Sequence, residues 1–187
     1  MSMKKIFVVV LATLFCGSVS AQNGEPTPIV YSAVEKVDGV SAAELFARGR
    51  QWFAQAYNNS KVVLQMAEDN RLVGKASFTL KYDAKIRGIY KCNVDYMILV
   101  ECRDGRYKYT IDNLYLTVLD HGSPRGEYGL LTTAEFLPPA SEWATGLNDK
   151  HRQTLWKNVK EYSDSYVKAL VGLLKVSMNA TTTNNDW

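Results

Sequence analysis

Apolar residues alternate with polar ones along two neighbouring stretches, Cys92–Cys102 and Tyr107–Tyr115, which are joined by Asp104-Gly105. A period of two is typical of strands with one buried face. Asp-Gly favours a two-residue type I′ turn, which fixes the pairing of the two strands. Continued without interruption, that pairing sets Val94 opposite Tyr115 and predicts one apolar face along the whole hairpin.

A second hairpin is predicted before it, and its turn has two possible lengths. A two-residue turn at Asp69-Asn70 would set Met66 opposite Val73, whereas a three-residue loop over 69–71 sets Met66 opposite Gly74. The longer loop keeps one face of the strands apolar if alternation is unbroken, so we expect the three-residue loop.

Helical spacing of apolar residues predicts two helices. Ser41 and Glu44 have the spacing of a capping box, and the apolar face that follows runs to Tyr57. A longer apolar stripe starts near Asp149. The region between the last predicted strand and this helix, 120–148, is rich in Gly and Pro and predicts a long loop.

The order of elements is strand, helix, four strands, helix. It predicts an α+β fold in which two helices pack on one face of an antiparallel sheet. We expect one domain over 29–179, preceded by a signal peptide at 1–21 and a flexible leader at 22–28, with a disordered tail at 180–187.

The N-terminal segment has the pattern of an export signal. Lys4 and Lys5 precede an apolar run over 6–15, and Val19-Ser20-Ala21 supplies the small residues that precede a cleavage site. The run is too short to cross a bilayer, so we expect no transmembrane anchor. We expect cleavage after Ala21 and a periplasmic or extracellular protein. We do not expect lipidation at Cys16, because the bulky Phe15 precedes it.

The charge of the chain argues against nucleic-acid binding. The 187 residues carry a formal net charge of +3, and loss of the two lysines in the signal would leave +1. Lys and Arg form no dense cluster of the kind that neutralises phosphates. We therefore expect no nucleic-acid partner.

The two cysteines of the expected mature chain, Cys92 and Cys102, lie on one predicted strand. Ten residues of extended chain span roughly 33 Å, whereas the Cα atoms of a disulfide lie within about 7 Å. We expect two buried, unpaired thiols.

No residue pattern indicates catalysis or a cofactor. His121 and His151 lack metal-type spacing with the cysteines, and Glu135 with Glu142 are explained equally well as solvated loop residues. No glycine-rich loop leads from a strand into a helix as a phosphate site requires. We expect no catalytic, metal or cofactor residues.

The second face of the central hairpin is the candidate interaction patch. If the pairing continues without interruption, this face carries five apolar residues: Met97, Leu99, Leu114, Leu116 and Val118. The solvent face of an antiparallel sheet is usually more polar. Either the apolar residues of 120–148 cover the patch, or it is a contact surface. Of these two hypotheses, we favour the one in which apolar residues of 120–148 cover the patch.

Several short motifs resemble a known family. They are Val37–Ser41, Glu44-Leu45, Trp52-Phe53, Ser60–Val62 and Gly74. Together they resemble the domain-of-unknown-function 4468 family, exported bacterial proteins described as having a TBP-like fold. The resemblance implies a curved antiparallel sheet of topology β-α-β-β-β-β-α. It implies no activity, because these are packing and capping residues.

Three functional hypotheses follow. The first is an exported, non-enzymatic domain that binds a protein or glycan partner, or a second copy of itself in a weak homodimer. The second is a carrier of a small apolar ligand in a cavity between the sheet and the C-terminal helix, lined by Phe78, Leu170 and Leu173. The third and least supported is a hydrolase, which would need His121 beside a nucleophile.

Overall fold

The structure is a computed structural model of the chain. The structure describes residues 25–57, 63–83, 89–120, 123–137 and 148–180. The expected signal peptide, residues 22–24 of the leader, His121, Glu142 and the tail beyond Ala180 lie outside the described residues.

The described residues form six strands and two helices. Their bounds are β1 Tyr31–Lys36, α1 Ala42–Ala56, β2 Leu64–Glu68, β3 Arg71–Asp83, β4 Ile89–Arg103, β5 Arg106–Asp120, β6 Ser123–Leu130 and α2 Asp149–Met178. The strands form one antiparallel sheet in the order β1-β5-β4-β3-β2, and β6 pairs with β5 beyond the end of β1. Both helices pack on one face, so the predicted α+β architecture is confirmed.

Strand β6 corrects the prediction of a long loop over 120–148. Its sequence, Ser123–Leu130, contains one proline and two glycines and shows no clear alternation of apolar residues. An edge strand accepts proline on its unpaired side, and the pairing of β5 with β6 shifts register twice. A strand of this kind has no strong pattern in the sequence.

The start of α1 is fixed by two side chains from different parts of the chain. The Ser41 hydroxyl accepts a hydrogen bond from the Glu44 N–H at 3.2 Å, as the capping motif predicts. The Asp104 carboxylate accepts a second one from the Ala42 N–H at 2.7 Å. Asp104 lies in the turn between β4 and β5, so the central hairpin and the helix start are joined directly.

The turn between β2 and β3 has two residues, and the predicted three-residue loop is wrong. Asp69 and Asn70 both adopt positive φ, at 50° and 58°, as a type I′ turn requires. Met66 therefore pairs with Val73. A β-bulge between Leu64 and Met66 then shifts the register, which the assumption of unbroken alternation excluded.

The core lies between the sheet and the helices. Helix α1 contributes Leu45, Trp52 and Phe53, and α2 contributes an apolar stripe that includes Leu155 and Leu174. No helix among the described residues is long and apolar enough to span a membrane.

Cys92 and Cys102 are buried and unpaired, as predicted. Burial raises the pKa of the Cys92 thiol to about 12 and that of Cys102 to about 11. The thiols therefore stay protonated at neutral pH and act as small apolar core groups.

Candidate functional site

The central hairpin changes face halfway along β5. From the turn as far as Met97 opposite Asp112 the pairing is the predicted one. The register then shifts between Asp95 and Met97, and Asn113 adopts a positive φ of 52°. A β-bulge inserts one extra residue into one strand, so every side chain beyond it moves to the opposite face.

The bulge corrects the predicted interaction patch. Leu114, Leu116 and Val118 are 1%, 0% and 3% exposed and pack under the helices. Val94 accordingly pairs with Leu116 and not with Tyr115. Of the five predicted patch residues, Met97 and Leu99 lie on the outer face of the sheet, the face opposite the helices, where both are half-buried.

Residues from other strands join Met97 and Leu99 to form a larger apolar surface. Val73 pairs with both Met66 and Leu99, and Tyr115 pairs with Leu130, which is 36% exposed. We name this surface the outer strip, and it consists of Met66, Val73, Met97, Leu99, Tyr115 and Leu130. It crosses the sheet diagonally from β2 to β6.

Polar groups border the outer strip and fix two of its side chains. The Tyr115 hydroxyl donates to the Glu127 carboxylate at 3.0 Å, and this hydrogen bond is the main cause of a raised pKa at Tyr115. The Asn113 side-chain amide lies 3.4 Å from the Met97 sulfur. The bulge therefore also positions Met97.

An open groove of about 930 Å³ adjoins the outer strip. Met97, Tyr115 and Leu130 line it from the outer face. Tyr57 and Tyr96, from the helix side of the sheet, contribute at the end of α1. This volume is within the range of small-molecule sites, although the groove is open to solvent along its length.

The described part of the former loop does not cover the outer strip. Leu131 and Thr133 bond to β5 and to residues 27–29, and Ala134 and Leu137 bond to α2. The Ala134 carbonyl accepts hydrogen bonds from Trp156 Nε1 at 3.1 Å and from Lys160 Nζ at 2.6 Å, and the Leu137 N–H donates to Gln153 Oε1 at 3.2 Å. For these residues, the favoured hypothesis that the loop covers the second face of the hairpin is wrong. Residues 138–147 lie outside the described part of the chain.

The structure also corrects the predicted ligand cavity between the sheet and α2. Leu173 is 59% exposed on the outer side of α2, so it cannot line an interior space with Phe78. The Phe78 ring stacks on Tyr166 with centroids 4.2 Å apart, and Leu170 is buried. Tightly packed side chains occupy this position.

Of the four polar residues weighed as candidates for catalysis, the structure describes His151 and Glu135. His151 Nδ1 lies 3.1 Å from the Tyr82 hydroxyl, which also donates to the His151 carbonyl at 3.2 Å. Glu135 is exposed. Within the described ranges, no three His, Cys, Asp or Glu side chains converge in a way that could hold a metal ion.

Three tyrosine hydroxyls form a chain between the helices and the sheet. Tyr57 and Tyr96 oxygens are 3.0 Å apart, and Tyr96 and Tyr166 oxygens are 3.4 Å apart. Burial raises the pKa of Tyr57 to about 12. Burial also raises the pKa of Tyr96, and the neighbouring hydroxyls add to that rise. Ionisation of this cluster is therefore unfavourable in the folded protein.

The cluster predicts a loss of stability in alkali. The pKa of Tyr57 is raised from 10.0 to about 12 on folding, so its contribution to stability is present below pH 10 and is lost as the pH rises towards 12. Urea unfolding should show that Tyr57→Phe loses about 1 kcal/mol less than the native chain between about pH 9 and pH 11. Equal losses in both proteins would contradict this assignment.

Comparisons with known proteins agree with the architecture. A family model described as "Domain of unknown function (DUF4468) with TBP-like fold" matches residues 31–117. A crystal structure of a DUF4468 family protein from Bacteroides ovatus is similar with a TM-score of 0.53 at 15% identity, over 84% of this chain and 90% of that one.

A crystal structure of a TBP-like protein from Parabacteroides distasonis is similar with a TM-score of 0.54 at 12% identity, over 79% of this chain and 93% of that one. A search of curated proteins found no match. The structural similarities establish the fold, and the family model agrees with the motifs that suggested it. Residues 31–117 of this chain therefore match the DUF4468 family model, and the fold of the chain is TBP-like.

Proposed function

We propose that the chain is an exported, non-enzymatic binding domain whose contact surface is the outer strip. The observation that carries this proposal is the position of the strip. It is a diagonal line of apolar side chains on a sheet face that neither helix covers, beside a groove of about 930 Å³. Export is supported by the charged, apolar and small-residue pattern of the first 21 residues.

The composition of the strip favours a protein partner. Met66 and Met97 have flexible side chains that can adapt to different shapes, and Tyr115 offers a large ring with a polar end. Covering a partly exposed apolar side chain contributes on the order of 1 kcal/mol, so a strip of this size can support a specific but moderate affinity. The near-neutral charge of the expected mature chain argues against nucleic acid, although the fold is TBP-like.

A photocrosslinking experiment in the native host tests the proposal. A photoreactive amino acid at position 97 should give a discrete covalent adduct with a partner protein. The same amino acid at position 91 is the matched control, because Lys91 is an exposed residue on the outer face away from the strip. Leu99→Glu, introduced beside the probe at 97, should abolish the adduct by placing a charge in the contact.

The thermal stability of the Leu99→Glu protein has to stay close to that of the native chain for this result to count. Adducts of equal yield at positions 91 and 97, or an adduct that Leu99→Glu leaves unchanged, would refute the outer strip as the contact surface.

A small ligand in the groove is the second candidate function. It is favoured by the Tyr57 and Tyr96 residues at one end of the groove, whose hydroxyls could bind the polar end of an otherwise apolar molecule. Native mass spectrometry of the protein from its host separates the two candidates. Extra mass that disappears on denaturation supports the ligand, and its absence with a positive crosslink supports the protein partner.

A further inference from the structure

Three positively charged residues form a row at the turn end of the sheet. Arg103 and Arg106 flank the turn between β4 and β5 and pair directly. Arg106 pairs on its other side with Lys36 of β1. Side chains of directly paired residues lie on the same face of a sheet, and all three are exposed on the outer face. We name Lys36, Arg106 and Arg103 the basic row.

The basic row is an unfavourable arrangement in the free protein. Like charges directly opposite each other on neighbouring strands lower stability, and neighbouring strands are only about 4.8 Å apart. The adjacent row, on the side of the outer strip, has signs that alternate across the sheet: Glu68, Arg71, Glu101 and Lys108. Three adjacent cations with no anion between them therefore set the turn end apart from the row beside it.

No carboxylate pairs with the basic row in the part of the chain that the structure describes. None of its three cations forms an ion pair there. The carboxylate of Asp104, in the turn itself, is engaged elsewhere, because it accepts the Ala42 N–H at 2.7 Å. The Glu101 carboxylate lies 3.5 Å from Arg71 Nε, and Glu101 pairs with Lys108. The row therefore keeps three positive charges without a partner.

A hollow of about 230 Å³ adjoins the basic row. Arg103, Arg106 and Lys108 contribute positive charge to its wall, against the single carboxylate of Glu101. Val34, which is 60% exposed, contributes an apolar side. The hollow has room for a phosphate group and a few further atoms, and it is smaller than the roughly 300 Å³ at which pockets for drug-sized ligands begin.

We propose that the basic row binds a phosphate monoester group. Such a group carries a charge of about −1.5 to −2 at neutral pH and has three acceptor oxygens. Guanidinium groups donate paired hydrogen bonds to phosphate oxygens, and Arg106 lies at the centre of the row with one cation on each side. A phosphate above Arg106 therefore neutralises the charges that repel one another in the free protein. The inference is independent of the proposed function.

The size of the row separates this ligand from larger anions. Three residues on adjacent strands extend over about 10 Å, whereas a nucleic-acid surface makes on the order of six to ten phosphate contacts. A carboxylate has two oxygens and one charge, so an acidic peptide would satisfy fewer donors than a phosphate does. The sequence shows no dense basic cluster, because Lys36 reaches the row only through the pairing of β1 with β5.

Isothermal titration calorimetry of the protein purified from its host tests the site, with inorganic pyrophosphate as the probe. We expect a dissociation constant between about 0.1 and 1 mM at low ionic strength, and weaker binding as salt is added. Arg106→Glu should weaken binding about tenfold or more, because it places an anion at the centre of the row. Arg50→Glu is the matched control, since it makes the same change of charge at an exposed position of α1. It should leave the affinity unchanged.

The melting temperature of the free protein gives a second readout with the opposite sign. At low ionic strength Arg106→Glu should raise it by about 2–4 °C, because Lys36 and Arg103 each gain an anionic neighbour. Lys36→Glu, on a different strand, should have both effects to a smaller degree, so the test does not depend on one variant. A binding site predicts variants that are more stable and bind less, whereas a merely structural role predicts a loss of stability.

Vesicles identify the source of the phosphate group. Binding to phosphatidylcholine vesicles that contain phosphatidic acid, abolished by Arg106→Glu, would identify a lipid headgroup, and binding to pyrophosphate alone would identify a soluble phosphate ester. Both results support the site.

Four results would overturn the proposal. They are the absence of binding heat at about 10 mM pyrophosphate, an affinity that Arg106→Glu leaves unchanged, an equal loss of affinity in Arg50→Glu, and tighter binding of a glutamate-rich peptide than of pyrophosphate. A melting temperature that Arg106→Glu lowers would contradict the repulsion on which the proposal rests.

Discussion

Replacing Leu116 with alanine should lower the free energy of unfolding by about 3 kcal/mol, and the same replacement at Leu99 by less than about 1.5 kcal/mol. Leu116 is 0% exposed beneath the helices, so its truncation leaves a cavity in addition to the lost apolar contact. Leu99 is half-buried on the outer face, where solvent fills the space. The two leucines lie on neighbouring strands of the central hairpin and on opposite faces of the sheet.

Urea unfolding of the two variants, followed by circular dichroism, measures the difference. Equal losses at both positions would mean that β5 does not change face at Asn113. The same placement decides how Leu116 can be used experimentally. Leu116→Asp would bury a carboxylate without a partner and unfold the domain, so probes of the outer face have to be placed at Met97 or Leu99.

Replacing Gly74 with alanine should lower the free energy of unfolding by about 2 kcal/mol. A Cβ at Gly74 would lie 2.6 Å from Phe53 Cε1 and 3.2 Å from the Val63 carbonyl oxygen. Phe53 is 0% exposed, and its rigid ring packs at 4.8 Å from Trp52. The ring cannot move aside without disturbing the contact between α1 and the sheet.

Two further variants identify the cause of this loss. Gly172→Ala on α2 meets no atom within 4 Å, so it should raise stability by up to about 1 kcal/mol through helix propensity. Phe53→Leu combined with Gly74→Ala should lose less than the two single losses added together, because the smaller side chain makes room for the methyl group. Strict additivity in thermal or urea unfolding would refute the steric explanation.

Local patterns predicted the parts of the fold that regular geometry determines. The Asp104-Gly105 turn and the alternation around it predicted the correct pairing as far as Met97 and Asp112. Ser41 gave the correct start of α1. In both cases a short-range rule, turn type or helix capping, is sufficient to fix the backbone.

The wrong predictions of strand pairing came from β-bulges, which the assumption of unbroken alternation excludes. The step of three from Ile111 to Leu114 in the apolar pattern marks the bulge, and Asn at 113 is a residue that tolerates positive φ. Both features are present in the sequence, but they conflict with the simpler assumption of unbroken alternation. Because one extra residue inverts the face of all that follow, a local irregularity misplaced three of the five patch residues.

The candidate site was only partly accessible from the sequence for the same reason. The pairing is regular between the Asp104-Gly105 turn and these two residues, so Met97 and Leu99 were assigned to the correct face. Met66 and Leu130 lie on strands whose register depends on further bulges, in β2 and between β5 and β6. Their contribution follows from tertiary pairing, which local periodicity does not encode.

The contact between Asp104 and the start of α1 bears on how the domain opens. The Ala42 N–H is held by a side chain 62 residues away, and the same turn exchanges backbone bonds with the β1–α1 connection, from Gly105 N–H to the Val40 carbonyl and from Val37 N–H to the Gly105 carbonyl. The hairpin tip, usually the first part of a sheet to fray, cannot separate without uncapping the helix. The turn and the helix start therefore belong to one cooperative unit. Local opening of the hairpin tip requires the free energy of opening both.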